Sequence, residues 1–134
     1  MIEENVKVRV RYSETDQMGF VYYGNYAQYL EIGRVAAMKK AGISYREMEE
    51  QGVAMPVRDM HITYRKAAKY DDEIEIRCQV KEMPSAKMIF YYQIYRADDI
   101  LCEAETTLLF MNIKKGKLCP LPQFLLDKML PFFS

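Results

Sequence analysis

Histidine is almost missing from this chain: one residue, His61, stands among 134. A Ser-His-Asp or Cys-His arrangement would have a single candidate base, and no G-x-S-x-G segment accompanies it. In its alternating stretch His61 reads as a structural residue. Cysteine is scarce as well. Cys78, Cys102 and Cys119 are odd in number and include no C-x-x-C, which points to neither a disulfide framework nor a zinc site. Cys78 and Cys102 fall in alternating stretches and are expected as small core residues. No cluster of His, Cys and carboxylate residues has ligand spacing, so no metal is expected. Gly19 and Gly24 have the spacing of a phosphate-binding loop, but Asn25 and Tyr26 follow where that loop needs Lys and Ser or Thr. Net charge is absent, with 19 basic residues against 19 acidic ones. That argues against a nucleic-acid or anionic-membrane partner, since both need a basic field. No apolar run reaches the length of a transmembrane helix, and the opening "MIEENVKVRV" lacks an apolar signal core. A reduced, cytoplasmic protein is the expectation.

What is present is ordinary globular material. Half of the residues are apolar and 28% are charged, in a length that suits one domain, residues 1–134. "VKVRVRY" (6–12) alternates as a strand with one buried face. "NYAQYLEIGRVAAMKKAG" (25–42) carries Tyr26, Tyr29, Leu30, Gly33, Ala37 and Met38 at helical spacing. Gly33, Ala36 and Ala37 are small enough to let that helix lie close to its neighbour. Gly42 suits its C-terminal cap. Ser44 and Glu47 have capping-box spacing for a short second helix over 44–52. After Pro56 come four extended segments: 57–66, 71–83, 87–97 and 101–113. The last three are joined by short links and read as an antiparallel meander. Residues 120–130 predict a terminal helix packing Phe124, Leu125 and Met129.

The element order is therefore strand, long helix, four strands, an α+β pattern. One helix can cover one face of a five-stranded sheet. Met88, Phe90, Tyr92 and Ile94 face one way, while Ile89, Tyr91 and Tyr95 face the other. A second apolar face with little chain left to cover it predicts a homo-oligomer, and an open strand edge offers a second route to association.

The stretch "SETDQMGFVYYGNY" (13–26) joins the first strand to the long helix. Helix N-termini present unsatisfied N–H groups and a partial positive charge, which can polarise a carbonyl. Asp16 beside such a carbonyl would act as a base on water or as a nucleophile. Gly19 and Gly24 allow close backbone approach to a ligand. Hydrolysis of an activated acyl compound fits these parts. A plain capping loop, with Asp16 satisfying local N–H groups, fits them too.

The same stretch resembles the motif T-D-x-x-G-x-V-Y-[HY]-x-N-Y of hotdog-fold acyl-CoA thioesterases. The nearest branch holds 4-hydroxybenzoyl-CoA thioesterase and the Tol-Pal-associated short-chain enzymes. The matching residues are Thr15, Asp16, Gly19, Val21, Tyr22, Tyr23, Asn25 and Tyr26. "ITYRKAAKYDDEIEI" and "CEAETTLLFMN" extend the likeness over nearly the whole chain. The resemblance implies a hotdog fold, a five-stranded antiparallel sheet wrapped around the helix, with sites at a dimer interface and dimers paired into tetramers. It implies an acyl-CoA substrate, no cofactor, Asp16 as the catalytic carboxylate, and the backbone N–H of Tyr23, helped by Gly24, as the carbonyl donor. Gly19, Val21, Tyr22, Asn25 and Tyr26 would line the substrate, and Arg65 and Lys66, with Lys69 nearby, would meet the CoA phosphates. Many relatives have His where Tyr23 stands, so an imidazole-dependent mechanism is not available here. Glu31, which would pair with Arg34 one turn on, is the alternative acid, and Glu14 is read as solvated or structural. An acyl-carrier-protein thioesterase and a non-catalytic acyl-CoA-binding module are the alternative functions.

Overall fold

A computed structural model of the chain describes residues 1–133. Its elements are β1 (Ile2–Arg9), α1 (Tyr26–Lys40), α2 (Tyr45–Glu50), β2 (Val53–Ala54), β3 (Val57–Tyr64), β4 (Glu73–Val80), β5 (Lys87–Arg96), β6 (Asp99–Asn112), β7 (Lys117–Cys119) and α3 (Gln123–Met129). Three short 3-10 turns, Tyr12–Glu14, Tyr23–Asn25 and Leu130–Phe132, complete the list. The long strands form an antiparallel sheet in the order β1-β4-β5-β6-β3. The sequence pattern missed β2 and β7. Both are only two or three residues long, and they exist because β6 runs on far enough to pair with them at Phe110–Asn112. Strands this short carry no readable alternation.

Helix α1 crosses β1, β4 and β5 on the inner face of the sheet. Tyr29, Leu30, Ala37 and Met38 are fully buried, against Ile74, Ile76, Cys78, Phe90 and Ile94. Gly33 sets the spacing: a Cβ there would meet Ile76 Cγ2 at 2.8 Å and Cys78 Cβ at 3.4 Å. Cys78 and Cys102 are core residues, as their alternation implied. Burial pushes both thiols up to about 12. Ser44 caps α2 by accepting the Glu47 N–H at 3.2 Å, and α3 buries Leu125 and Met129.

The outer face of the sheet is only half covered. Ile89, Tyr91 and Tyr95 alternate outward as their pattern requires. Within the chain, Lys81 lies 4.5 Å from the Tyr91 ring centre and Arg77 lies 5.4 Å from that of Tyr95. Cationic stems thus shield part of the surface that the pattern had assigned to another subunit. His61 is exposed on this same outer face, paired across β6 with Glu105, which in turn faces Tyr91. At the sheet margins, among the described residues, β1 pairs only with β4 and β3 only with β6, so each leaves one edge open.

Candidate active site

The junction between β1 and α1 is organised by Glu14. Its side chain is 8% exposed and accepts three kinds of donor. The Arg11 N–H reaches Oε1 at 2.7 Å and the Tyr29 hydroxyl reaches it at 2.9 Å. The Arg11 guanidinium reaches Oε2 at 3.3–3.4 Å. Burial, then the Glu14 contact, pushes the Tyr29 phenol well above its ordinary value. The Glu14 carbonyl accepts the Tyr22 N–H at 3.0 Å and the Asn25 side-chain amide at 2.8 Å. Glu14 is therefore structural and not solvated: one residue fixes the strand end, the loop and the helix start together. The amide of Asn25 is committed to this framework.

Asp16 heads the exposed loop that follows. Its Oδ1 accepts the N–H of Met18 at 2.9 Å and of Phe20 at 3.3 Å. Its own N–H donates to the Phe20 carbonyl at 2.8 Å, and Thr15 bridges Val21. Gly19 closes this tight loop with φ +82, a conformation that side-chain-bearing residues rarely adopt. The loop thus does hold the carboxylate by local N–H groups, through one oxygen. Among the described residues Oδ2 accepts no hydrogen bond.

After the loop, Tyr22 leads into the 3-10 turn Tyr23–Asn25, which runs directly into α1. The N–H groups of Tyr23 and Gly24 open that turn and have no acceptor within it. Gly24 is confined by the Tyr22 ring, since a Cβ would meet Tyr22 Cε2 at 2.7 Å. The Tyr22 and Tyr23 rings lie 4.7 Å apart. Beside the turn is a cleft of about 240 Å³ lined by Val21, Tyr23, Tyr26, Tyr64, Arg65, Lys66 and Ala67. Tyr64 donates its hydroxyl to the Tyr23 carbonyl at 3.3 Å and meets the Tyr26 ring edge-on at 5.2 Å. Tyr26 accepts the Ala68 N–H at 3.2 Å, and burial pushes its phenol upward.

Arg65 and Lys66 form the charged side of the cleft. Each is already engaged: Arg65 with Glu103 at 2.7 Å and Lys66 with Asp99 at 3.2 Å. Both pairs are more than a third exposed, so they are weak and exchangeable for another anion. Lys69 lies outside the cleft, 5.7 Å from the Phe20 ring centre. The strap that carries these residues is anchored by Arg96, which donates to the Ala67 carbonyl at 3.1 Å and pairs with Asp72 at 2.8 Å.

The fold thus gathers Val21, Tyr23, Tyr26, Arg65 and Lys66 in one cleft. Asp16, Gly19, Tyr22, Gly24 and Asn25 belong to the loop and turn beside it rather than to its wall. Tyr64 and Ala67 were not singled out in the sequence. The alternation Met60, Ile62, Tyr64 was the available signal for Tyr64. Glu31 stands apart, exposed on α1 and bordering a separate cavity. The expected Glu31–Arg34 pair does not form: among the described residues no ion pair includes Arg34. Arg34 turns inward to Tyr92 while Glu31 stays in solvent. No group of three or more metal-ligating side chains occurs among the described residues, and no described helix is long and apolar enough to cross a membrane.

The chain is similar in sequence and in fold to known thioesterases. The profile of the thioesterase-like superfamily matches residues 10–129. The chain is 31% identical over 117 residues to the acyl-CoA thioester hydrolase YbgC of Escherichia coli O6:H1, covering 87% of each. A stretch of 89 residues is 39% identical to the YneP protein of Bacillus subtilis (strain 168), spanning 66% of this chain and 64% of that one. Among solved structures, a DHNA-CoA thioesterase from Staphylococcus aureus superposes with a TM-score of 0.91 at 28% identity, over 98% of this chain and 89% of its own.

Proposed function

The chain belongs to the thioesterase-like superfamily with a hotdog fold, and on that premise we propose how this acyl-CoA thioester hydrolase works. Acyl-CoA and water become a carboxylic acid and CoA. The Tyr23 N–H, assisted by Gly24, donates to the thioester carbonyl oxygen as it gains negative charge. Asp16 either takes a proton from the attacking water or attacks the carbonyl itself, forming an acyl-aspartyl anhydride that water then opens. The CoA phosphates exchange with Glu103 and Asp99 for Arg65 and Lys66. Val21, Tyr22 and Tyr26 shape the approach, while Gly19 and Asn25 hold the loop that presents Asp16. Neither metal nor cofactor takes part.

The observation that carries this reading is the cleft at the start of α1, which brings Tyr23, Arg65 and Lys66 together. Asp16 is one loop away from it, with one carboxylate oxygen unengaged among the described residues. The test is CoA release from a panel of acyl-CoA esters, with Asp16→Asn as the control. The variant is expected to lose about 10²–10⁴ in kcat. Turnover near wild type would remove Asp16 from the mechanism.

The working form is a single-domain chain assembled as a homodimer, paired into a cytoplasmic homotetramer. Support comes from the open edge of β3 and from the apolar side chains near it. Val57 and Met60 are 47% exposed and Ile32, on α1, is 38% exposed. Such a surface favours burial against another copy. Light scattering after size exclusion checks this: a monomer at micromolar concentration would refute it.

A further inference from the structure

The far end of β6 carries a concentration of positive charge that the zero net charge conceals. Between Glu105 and Asp127 the sequence holds no acidic residue but three lysines, Lys114, Lys115 and Lys117. They sit at the hairpin that joins β6 to β7, and all three are exposed. None of them forms an ion pair among the described residues. The hairpin is shaped by other groups. Asn112 accepts the Lys115 N–H on Oδ1 at 3.0 Å and the Gly116 N–H on its carbonyl at 2.8 Å. Gly116 closes the turn at φ +63. The lysine side chains take no part in this framework.

Two aliphatic residues bracket the lysines. Ile113 is 44% exposed and Leu118 is 63% exposed. Leu118 also walls a cavity of about 330 Å³ with Ala86, Leu109, Phe110, Cys119 and Pro120, so apolar surface continues from the turn down the hairpin. Cations and aliphatic groups side by side fit an anionic lipid surface better than an acidic protein. Protein interfaces take their energy from arginine and aromatic anchors and are poor in lysine. Residues 111–119 contain neither arginine nor an aromatic residue. Lysine is a point charge on a flexible stem, which suits laterally mobile headgroups. Isoleucine and leucine beside it can enter the acyl boundary while the ammonium groups stay among the phosphates.

We propose that this hairpin docks the protein reversibly on anionic phospholipid bilayers, with Lys114, Lys115 and Lys117 on the headgroups and Ile113 and Leu118 entering beneath them. A lysine near such a surface contributes about fivefold in binding, so three give a preference of about a hundredfold over a neutral bilayer. Zero net charge does not prevent this, because exposed charges more than about 10 Å away are largely screened at ordinary ionic strength. The cleft lies toward the other end of the strand. Cys102, which faces Tyr64, and Asn112 are about 33 Å apart along β6. Docking by the hairpin therefore leaves the cleft open, and it does not rest on the thioesterase reading.

The test is co-sedimentation of the full chain with vesicles of phosphatidylcholine alone and of phosphatidylcholine mixed equally with phosphatidylglycerol. The wild type is expected to bind the mixed vesicles and to be released by rising salt. Replacing the lysines together, Lys114→Gln, Lys115→Gln and Lys117→Gln, should lower binding about a hundredfold, to the level of the neutral vesicles, with the circular dichroism unchanged. The chain has no tryptophan, so Leu118→Trp supplies a single reporter. Its emission should shift to the blue on the mixed vesicles and be quenched by brominated acyl chains. Failure of the wild type to bind the mixed vesicles, or binding that survives the lysine replacements, overturns the proposal. A tryptophan that stays unshifted and unquenched on bound protein overturns the entry of Leu118. Retention of the wild type on poly-L-glutamate but not on the mixed vesicles overturns the lipid surface in favour of an acidic protein. Binding lost in Arg65→Gln with Lys66→Gln but kept in the hairpin variant overturns the hairpin in favour of the cleft.

Discussion

Replacing Glu14 tests whether the junction between β1 and α1 is held by hydrogen bonds or by charge. In Glu14→Ala the Tyr29 hydroxyl, in a residue that is 0% exposed, loses its 2.9 Å acceptor. An orphaned buried donor costs about 1–3 kcal/mol. The charge-assisted bond from the Arg11 N–H at 2.7 Å goes as well, adding about 1–2 kcal/mol because that exposed residue can turn to water. The sum is about 2–5 kcal/mol. In Glu14→Gln the amide oxygen can take the place of Oε1 and keep both donors. What is lost is the contact between Oε2 and an Arg11 side chain that is 75% exposed, worth about 0–1 kcal/mol. Urea unfolding followed by circular dichroism should therefore rank the two variants well apart, with Gln near the wild type. A double-mutant cycle sharpens the test. Tyr29→Phe should destabilise the wild type but be neutral or stabilising in the Glu14→Ala background, where it removes an orphaned hydroxyl. Equal losses for Gln and Ala, or additivity with Tyr29→Phe, would refute the hydrogen-bond account.

Gly33→Ala should lower stability although Ala is the better helix former by about 1 kcal/mol. The new methyl meets Ile76, which is fully buried and β-branched, and overpacking costs about 1–3 kcal/mol. A thermal midpoint above the wild type would show that the interface yields. Asp72 gives the pH prediction. Burial pushes its carboxyl up, but the Arg96 and Lys69 contacts outweigh this and hold it below the ordinary value. Its folded pKa is therefore depressed, and its contribution is complete above about pH 4 and lost as pH falls through the folded value. Asp72→Asn should be less stable than the wild type near neutrality, with the gap narrowing in acid. A gap that widens in acid would reverse the sign and refute the argument.

The strands and the long helix were legible because their periodicities differ. Ile74, Ile76, Cys78 and Val80 repeat every second residue, while Tyr26, Leu30, Gly33 and Ala37 repeat at helical spacing. The short strands at Val53–Ala54 and Lys117–Cys119 were not legible, because pairing to the far end of β6 defines them rather than their own pattern. Within the site, the local parts could be read in line: an acid, a tight glycine loop, and free N–H groups at a helix start.

The sequence by itself determined this loop and turn, and also the polarity of each strand face, since both depend on residues within a few positions of one another. Only the tertiary structure decided which distant groups meet. Tyr64 reaches the Tyr23 carbonyl across 41 positions, and Glu14 turns inward to Tyr29 rather than out to water. Arg34 leaves Glu31 for Tyr92, 58 positions away. The reason is physical. Spacing along the chain ranks local partners, but burial sets the energy of a polar group. Which groups are buried is fixed only when α1 lies down on the sheet.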